Sequence, residues 1–277
     1  MTVQDIPAGM RLKSLAGWNQ VEADWQLLLK LNVQGCFVAV CDGRVVGTVT
    51  TLNYGNRISW IGMLLVDPAY RRQGIGTGLL QRALASQRGC EEIKLDATPA
   101  GEALYGRLGF RRECRLMRMA IQCLPVVPDP PTDICPVVSE VLEPAVALDR
   151  EAFGADRGCL LRALVDRTPD LAWQRVRQGQ VAGFCLGRRG SQFTQIGPLV
   201  AESAEDAALL CQAALCGLAG RAVVLDVPEG QGAFLSLLRS LGFAEQRPFV
   251  RMVWRAGDRA VSPPAPCMFA IAGPEFG

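Results

Sequence analysis

The chain has 277 residues, of which 49% are hydrophobic and 20% charged, and its formal net charge is +2. This length and apolar content suffice for two ordinary hydrophobic cores, and so small a net charge gives no reason to expect a nucleic-acid or membrane partner. The sequence contains no histidine. Ser-His and Cys-His nucleophiles, a histidine general base and a histidine-ligated zinc are therefore excluded.

The eleven cysteines are scattered, and none forms a Cys-x-x-Cys pair. We therefore expect most of them to be small buried side chains, with no bound metal. The first residues lack the basic and apolar regions of a signal peptide, and no apolar run is long enough to span a membrane. These features predict a reduced, cytoplasmic setting.

Hydrophobic periodicity in the first half indicates mixed helices and strands, with a hairpin turn at Asp42-Gly43 and a strand that ends before Pro68. In chain order we predict helix Gln20–Leu31, strands Cys36–Cys41, Arg44–Asn53 and Ile58–Val66, helix Gly74–Gln87, strand Glu92–Asp96, helix Gly101–Leu108 and strand Glu113–Ile121.

A similar order follows a proline-rich segment. We predict helices Val141–Phe153 and Arg157–Asp166, strands Leu171–Val176, Val181–Arg188 and Phe193–Val200, helix Ala204–Leu218, strand Ala222–Val227, helix Gly232–Leu241 and strand Gln246–Trp254. Short motifs recur in step: Leu95-Asp96 as Leu225-Asp226, Leu108-Gly-Phe110 as Leu241-Gly-Phe243, and Arg118-Met119 as Arg251-Met252. Landmarks kept in register over two halves predict one fold used twice.

These observations divide the chain into a first domain at residues 1–123, a proline-rich linker at 124–134, a second domain at 135–257 and a tail at 258–277. Prolines in the linker cannot lie inside a helix or a central strand, and they suit a semi-rigid connector. We also expect the apolar segment Met268–Gly277 to lie between the two domains.

The segment Leu64–Gly78 carries the strongest chemical signal. It runs from an apolar strand end, through Pro68, to a helix start that is rich in glycine. Such a junction presents unpaired backbone N–H groups at the positive end of a helix, which favours a phosphate or diphosphate ligand. Arg71 and Arg72 add positive charge beside it.

Three interpretations of this loop compete. A dinucleotide-binding Gly-x-Gly-x-x-Gly loop fails at its third glycine, which is Leu79 here, although Asp96 ends the next strand at a suitable distance. A Walker-type loop requires a lysine that is missing, so it is excluded. A glycine-rich turn with solvated arginines is the remaining alternative to a ligand site.

Two segments resemble motifs of the GNAT superfamily of N-acetyltransferases. Arg71-x-x-Gly74-x-Gly76, after Val66-Asp-Pro, is similar to its pyrophosphate-binding motif, and Asp96–Phe110, with Tyr105 five residues before the phenylalanine, is similar to the motif that follows. The resemblance covers about residues 5–121. It continues through residues 135–257 as a degenerate copy.

The resemblance implies an α/β fold of two tandem GNAT-like domains, each a mixed, mostly antiparallel sheet with flanking helices. It implies an acetyl-CoA-dependent N-acetyltransferase that moves an acetyl group to a primary amine, on a small molecule or a peptide. Backbone groups would bind the pantetheine arm and the diphosphate of acetyl-CoA. Those residues are Leu64, Leu65, Val66, Arg71, Arg72, Gln73, Gly74, Ile75, Gly76 and Thr77.

Direct attack by an amine needs no enzyme nucleophile, which agrees with a chain that lacks histidine. The resemblance makes Tyr105 the general acid for the departing thiolate. The general base stays unassigned, because the predicted strand Ile58–Val66 contains no carboxylate; Asp96 or an ordered water could serve, although we expect Asp96 to cap the next turn. Trp18, Trp25 and Trp60 are either core residues or part of the acceptor pocket. A non-catalytic acyl-CoA-binding or interaction protein on the same fold is the alternative function.

Overall fold

The computed structural model describes residues 1–130, 132–139, 142–255 and 265–277. Within these ranges the helices are α1 (Ile6–Leu15), α2 (Glu22–Asn32), α3 (Ile75–Ser86), α4 (Pro99–Arg107), α5 (Glu143–Phe153), α6 (Gly158–Arg167), α7 (Ala204–Leu215) and α8 (Gly232–Ser240). The strands are β1 (Phe37–Cys41), β2 (Arg44–Tyr54), β3 (Ile58–Val66), β4 (Glu92–Ala97), β5 (Arg111–Ile121), β6 (Ile134–Pro136), β7 (Trp173–Arg177), β8 (Gln180–Arg189), β9 (Thr194–Ala201), β10 (Val223–Pro228), β11 (Ala244–Arg255) and β12 (Met268–Ala270).

Each half contains the same tight hairpin. Asp42-Gly43 joins β1 to β2 and Gln178-Gly179 joins β7 to β8, and all four residues have positive φ. Two consecutive residues of positive φ match the right-handed twist of the flanking strands, which is why glycine follows a polar residue at each turn. The repeat seen in the sequence is therefore a repeat of local structure.

Three elements were not predicted from the sequence: α1, β6 and β12. Helix α1 has Pro7 in its first turn, a position that tolerates proline. Strand β6 begins inside the predicted linker. The linker also contacts α7, because the side chain of Gln212 on that helix donates to the carbonyls of Pro128 and Asp129. Residue 131 of the predicted linker, residues 140 and 141 at the start of the first predicted helix of the second domain, and residues 256–264, which span the predicted end of that domain and the start of the tail, lie outside the described ranges.

The strands of both halves form one sheet, in the order β1-β2-β3-β4-β11-β5-β10-β9-β8-β7-β6, with β12 paired to β9. The α/β fold with a mixed, mostly antiparallel sheet and flanking helices, which the resemblance implied, is confirmed, with the difference that the two halves share one sheet. The halves also exchange strands: β11, from the second half, lies between β4 and β5 of the first. Strand β5 in turn pairs with β10 of the second half. Each half thus completes its sheet with the last strand of the other.

Two buried ion pairs mark this exchange. Arg251 on β11 donates from Nε and Nη2 to both oxygens of Asp96 on β4, at 2.8 and 2.9 Å. Arg118 on β5 makes the equivalent pair of bonds with Asp226 on β10, at 2.7 and 2.7 Å. The recurring Leu-Asp and Arg-Met motifs of the sequence are therefore partners across the two halves.

The sheet separates two layers of helices. Consecutive strand residues point to opposite faces; on β3, Trp60 packs in the cluster that contains residues of α1, α2, α5 and α6, whereas Ile61 packs beneath α3. Helices α7 and α8 cover the second half in the same way. The tail lies on the face of α1, α2, α5 and α6, where Phe276 is fully buried.

Candidate active site

A cleft opens where β3 and β4 separate. The two strands pair in parallel only as far as Trp60 on β3 and Lys94 on β4. Within the described chain no strand pairs with the rest of β3 on that side. Residue Met63 has a φ of +50° and the pairing of β2 with β3 shifts register beside it. Such a bulge bends the strand and increases its local twist. The carbonyl of Met63 is held by the hydroxyl of Thr48 at 2.8 Å.

The cleft has a volume of about 950 Å³, near the upper end of the range of small-molecule sites, about 300–1,000 Å³. It is lined by nine of the ten residues predicted to bind acetyl-CoA: Leu64, Leu65, Val66, Arg71, Arg72, Gly74, Ile75, Gly76 and Thr77. Gln73 is exposed and is not part of this lining. Two separate predictions, the strand end and the glycine-rich loop, thus converge on one cavity.

The loop is anchored at both ends. Asp67 accepts a hydrogen bond from Arg11 at 2.6 Å and one from the N–H of Ala69 at 3.1 Å. These two hydrogen bonds, of which the one from Arg11 has the larger effect, hold the pKa of Asp67 below its usual value. At the other end α3 begins at Ile75, after Gly74 in the left-handed conformation with φ of +81°.

The two motif glycines have different roles. Gly74 needs its positive φ, which other residues adopt at a cost, whereas a Cβ at this position would meet no atom within 4 Å. A Cβ at Gly76 would face Val66 at 3.6 Å, an ordinary contact. Among the described residues the first α3 amide with a helical acceptor is that of Gly78, which donates to Gly74. The earlier N–H groups are therefore available to an anion at the cleft.

Tyr105 lies on α4 and lines the same cleft. Its ring packs edge-on against Phe110, with ring centroids 6.0 Å apart. Within the described residues its hydroxyl makes no hydrogen bond, and burial raises the pKa of Tyr105 to about 12. A phenol with this pKa keeps its proton at neutral pH and can donate it to a stronger base.

The expectation that Asp96 caps the next turn is wrong. Both oxygens of Asp96 accept from Arg251, and Thr98 is the residue that precedes α4. Burial raises the pKa of Asp96, and Arg251 opposes that shift. Of the three tryptophans, Trp18 lines the cleft, while Trp25 and Trp60 are fully buried in the core.

The tail brings a carboxylate that sequence reasoning missed. Glu275 lines the cleft and lies against β3, since a Cβ on Gly62 would be 3.0 Å from its Cα. Oε1 of Glu275 accepts from Arg188, and its Oε2 is buried without a hydrogen-bond partner among the described residues. Burial raises the pKa of Glu275.

Tail residues on either side of Glu275 are held by the first half. Trp60 donates from its indole to the carbonyl of Pro274 at 2.9 Å, and Tyr54 donates to the carbonyl of Phe276 at 2.8 Å. The tail therefore contacts both halves, as its apolar composition led us to expect.

In the second half, as far as the structure describes it, the corresponding gap between strands is filled. Strands β9 and β10 also separate, after Ile196 and Leu225, but β12 pairs with β9 there and Ile271 donates to the carbonyl of Asp226 at 3.0 Å. A Cβ on Gly197 would lie 2.0 Å from the carbonyl of Ile271, which shows how close the tail approaches. The protein's own chain thus fills the space between these strands.

The start of α7 is satisfied internally. The Ser203 hydroxyl accepts from the N–H of Asp206 at 3.1 Å, and Asp206 contacts Arg175 at 2.8 Å. Acidic side chains near the N-terminus of a helix are stabilising, and they repel an anion. The glycines and arginines that make the first loop suitable for a diphosphate are therefore missing at this position, where Glu205 and Asp206 lie instead.

No group of three or more Cys, Asp or Glu side chains among the described residues could hold a metal ion. No helix among them is both long and apolar enough to cross a membrane.

Comparison with known proteins yields two family matches. Models described as "Acetyltransferase (GNAT) domain" match residues 32–112 and residues 145–261. The first range contains β3, β4, the glycine-rich loop between them and Tyr105. The second contains the half whose cleft is filled by the tail.

Whole-chain similarities agree with this pair of matches. The uncharacterized N-acetyltransferase YitH of Bacillus subtilis (strain 168) is 25% identical over 84% of this chain and 83% of its own. A crystal structure of a Pyrococcus horikoshii protein superposes with a TM-score of 0.83 at 25% identity, over 100% of this chain and 94% of the other. The fold is also that of a tandem GNAT protein from the clavulanic acid biosynthesis pathway, with a TM-score of 0.61 at 20% identity over 94% and 96% of the two chains. The chain therefore belongs to the GNAT superfamily, as an acetyl-CoA-dependent acetyltransferase with two GNAT domains in tandem.

Proposed function

We propose that the protein transfers the acetyl group of acetyl-CoA to a primary amine by direct attack, at a single site in its first half. The observation that carries the proposal is the continuous cleft that runs from the α3 loop, between β3 and β4, to Tyr105 and Glu275. No nucleophile of the enzyme is required, in agreement with a chain that contains no histidine.

The cofactor end of the cleft is the α3 loop. The N–H groups between Arg71 and Thr77 bind the diphosphate, and the exposed side chains of Arg71 and Arg72 add positive charge. Backbone groups of Leu64, Leu65 and Val66 on the open side of β3 bind the pantetheine arm, as an added strand would. The two sets of groups lie along one cleft, which supports a single extended ligand.

Two side chains assist the transfer. As the amine nitrogen attacks the thioester carbonyl, the C–S bond breaks and CoA leaves as a thiolate, to which Tyr105 donates a hydrogen bond. A thiol pKa of about 8.5 is far below that of the buried phenol, so the phenol keeps its proton and stabilises the charge that develops on sulfur. Glu275, whose raised pKa suits a base, removes a proton from the amine directly or through a water.

One acetyl-CoA binds per chain. The tail already occupies the space between β9 and β10, and the start of α7 carries Glu205 and Asp206 in place of glycine and arginine. The second half serves instead to supply β11 and to anchor the tail through β9 and Arg188. In this role it completes the first half rather than adding a second active site.

The proposal is tested with the full chain, acetyl-CoA and a panel of primary amines, by following release of the CoA thiol and the mass of the product. We expect thiol release that depends on the amine, an N-acetylated product, and calorimetric binding of one acetyl-CoA per chain. Thiol release that does not depend on any amine would contradict transfer. Two binding sites per chain would contradict the single-site assignment.

A further inference from the structure

The charges around the acceptor side of the cleft are almost fully paired. On the face of the sheet that carries the tail, three carboxylates each contact an arginine at 3.0 Å or less. These pairs are Asp96 with Arg251, Asp226 with Arg118, and Glu275 with Arg188. Such pairs neutralise each other and leave little charge for a ligand.

Arg247 is the exception. It lies on β11 opposite Arg118, it lines the cleft, and no carboxylate among the described residues forms an ion pair with it. Its guanidinium lies 4.9 Å from the centroid of the Phe249 ring, the same distance as that of Arg118. Its Nε is buried without a hydrogen-bond partner in the described chain.

The carboxylate whose charge acts on Arg247, Asp226, is already paired. Asp226 accepts two hydrogen bonds from Arg118 and a third, at 3.2 Å, from Gln195. Burial, and then the charge of Arg118, lower the pKa of Arg247. A half-buried cation beside a second cation is costly unless an anion compensates it.

Arg247 does not belong to the cofactor end of the cleft. Phe249 clusters with Ile271 of the tail, whereas its neighbour Val250 packs beneath α3 and α4. Alternate residues of a strand point to opposite faces, so Arg247 and the α3 loop lie on opposite sides of the sheet. A diphosphate bound at the N-terminus of α3 therefore does not neutralise the charge of Arg247.

We propose that the acceptor carries an anionic group, a carboxylate or a phosphate, in addition to its amine, and that Arg247 binds this group. The inference rests on the proposed function and names the class of its substrate: amino acids or peptides in the carboxylate case, and aminoalkyl phosphates in the other. The planar guanidinium can donate two parallel hydrogen bonds to either group.

The experiment uses the full-length protein and three acceptor series of equal chain length: amino acids, the same amines without the carboxylate, and aminoalkyl phosphates. We expect kcat/KM to be higher for one anionic series than for the uncharged one by roughly 10- to 100-fold, the worth of a hydrogen bond to a charged group. Which anionic series is preferred distinguishes carboxylate from phosphate.

Variants locate the effect. Arg247→Gln should remove the preference, mainly through KM, while acetyl-CoA affinity stays unchanged, and Arg247→Lys should restore part of it. Arg239→Gln is the matched control, because Arg239 is an exposed arginine on α8 that pairs with Glu245. If Arg247→Gln is too unstable to assay, the lysine variant and calorimetric binding of the N-acetylated products to the wild type give the same comparison.

The outcomes are separable. A wild-type enzyme that acetylates all three series equally well, or an Arg247→Gln variant that keeps the preference, overturns this inference and leaves the proposed function intact. Failure to acetylate any amine overturns both.

Discussion

The sharpest test of the α3 loop adds one methyl group at each of two glycines. A Cβ on Gly74 and a Cβ on Gly78 would each meet no atom within 4 Å, so neither substitution creates a clash. The positions differ in backbone conformation: Gly74 has φ of +81°, whereas Gly78 lies within α3. Gly74 lines the cleft and Gly78 does not. Any difference between Gly74→Ala and Gly78→Ala therefore reports on the loop.

The magnitude follows from the left-handed conformation. A residue with a Cβ pays about 1–2 kcal/mol to adopt it. If the loop keeps its shape, Gly74→Ala lowers the free energy of unfolding by that amount. If the loop relaxes, the N–H groups turn away from the diphosphate, and loss of one hydrogen bond to a charged group, about 1.5–3 kcal/mol, weakens binding roughly 10- to 150-fold.

Two measurements on each variant separate these cases: acetyl-CoA affinity by calorimetry, and stability by denaturant titration of the ligand-free protein. Gly78→Ala should bind normally and gain about 0.5–1 kcal/mol, because alanine is the better helix former. A Gly74→Ala protein as stable as the wild type that binds acetyl-CoA equally well would refute the role given to this loop.

Three further predictions concern single side chains. Tyr105→Phe should keep the packing on Phe110 and lower kcat by roughly 10-fold or more with unchanged acetyl-CoA affinity, and full kcat in the variant would make Tyr105 a packing residue. Because the pKa of Tyr105 is raised to about 12, the wild-type kcat should show no loss from deprotonation of Tyr105 below that pH. Glu275→Gln should lower kcat/KM by at least roughly 10-fold, and a variant as active as the wild type would assign the base to water. Arg251→Met, which leaves the buried Asp96 without its partner, should lower the free energy of unfolding by about 3–5 kcal/mol, whereas Arg239→Met should change it by about 1 kcal/mol or less. Equal losses would show that the buried pair between the halves contributes no more to stability than an exposed pair.

The local structure of this protein could be predicted from its sequence because each signal was local. The hairpin turns, the proline that ends β3 and the apolar stripe of α3 depend on neighbouring residues only, and the predicted strand Ile58–Val66 agrees with β3 at both ends. The loop beside it was found in the same way, because its glycines and arginines are contiguous.

The strand exchange could not be predicted, because alternation of apolar and polar residues shows which face a side chain occupies but not which strand lies beside it. Arg251 and Asp96 are 155 residues apart, and nothing in the sequence distinguishes that pairing from one within each half. Glu275 and Arg247 were missed for the same reason. A single charged residue in a short apolar segment is normally solvent-exposed, and only the path of the tail and of β11 brings these two to the cleft.

The packing of the second half follows from what fills the space between β9 and β10. A strand pair that separates without a ligand would leave backbone groups of β9 and β10 unpaired inside the protein, a cost that folded proteins avoid. Strand β12 pairs with β9 and Ile271 with Asp226, so the tail satisfies these groups at the place where the first half leaves room for acetyl-CoA. From there the chain continues to Gly62, where Glu275 lines the cleft of the first half. In the proposed single-site arrangement, the absence of a cofactor site in one repeat and the gain of a carboxylate by the other are thus two results of the same packing, and a protein without the second half would lose β11, the tail and Arg247 together.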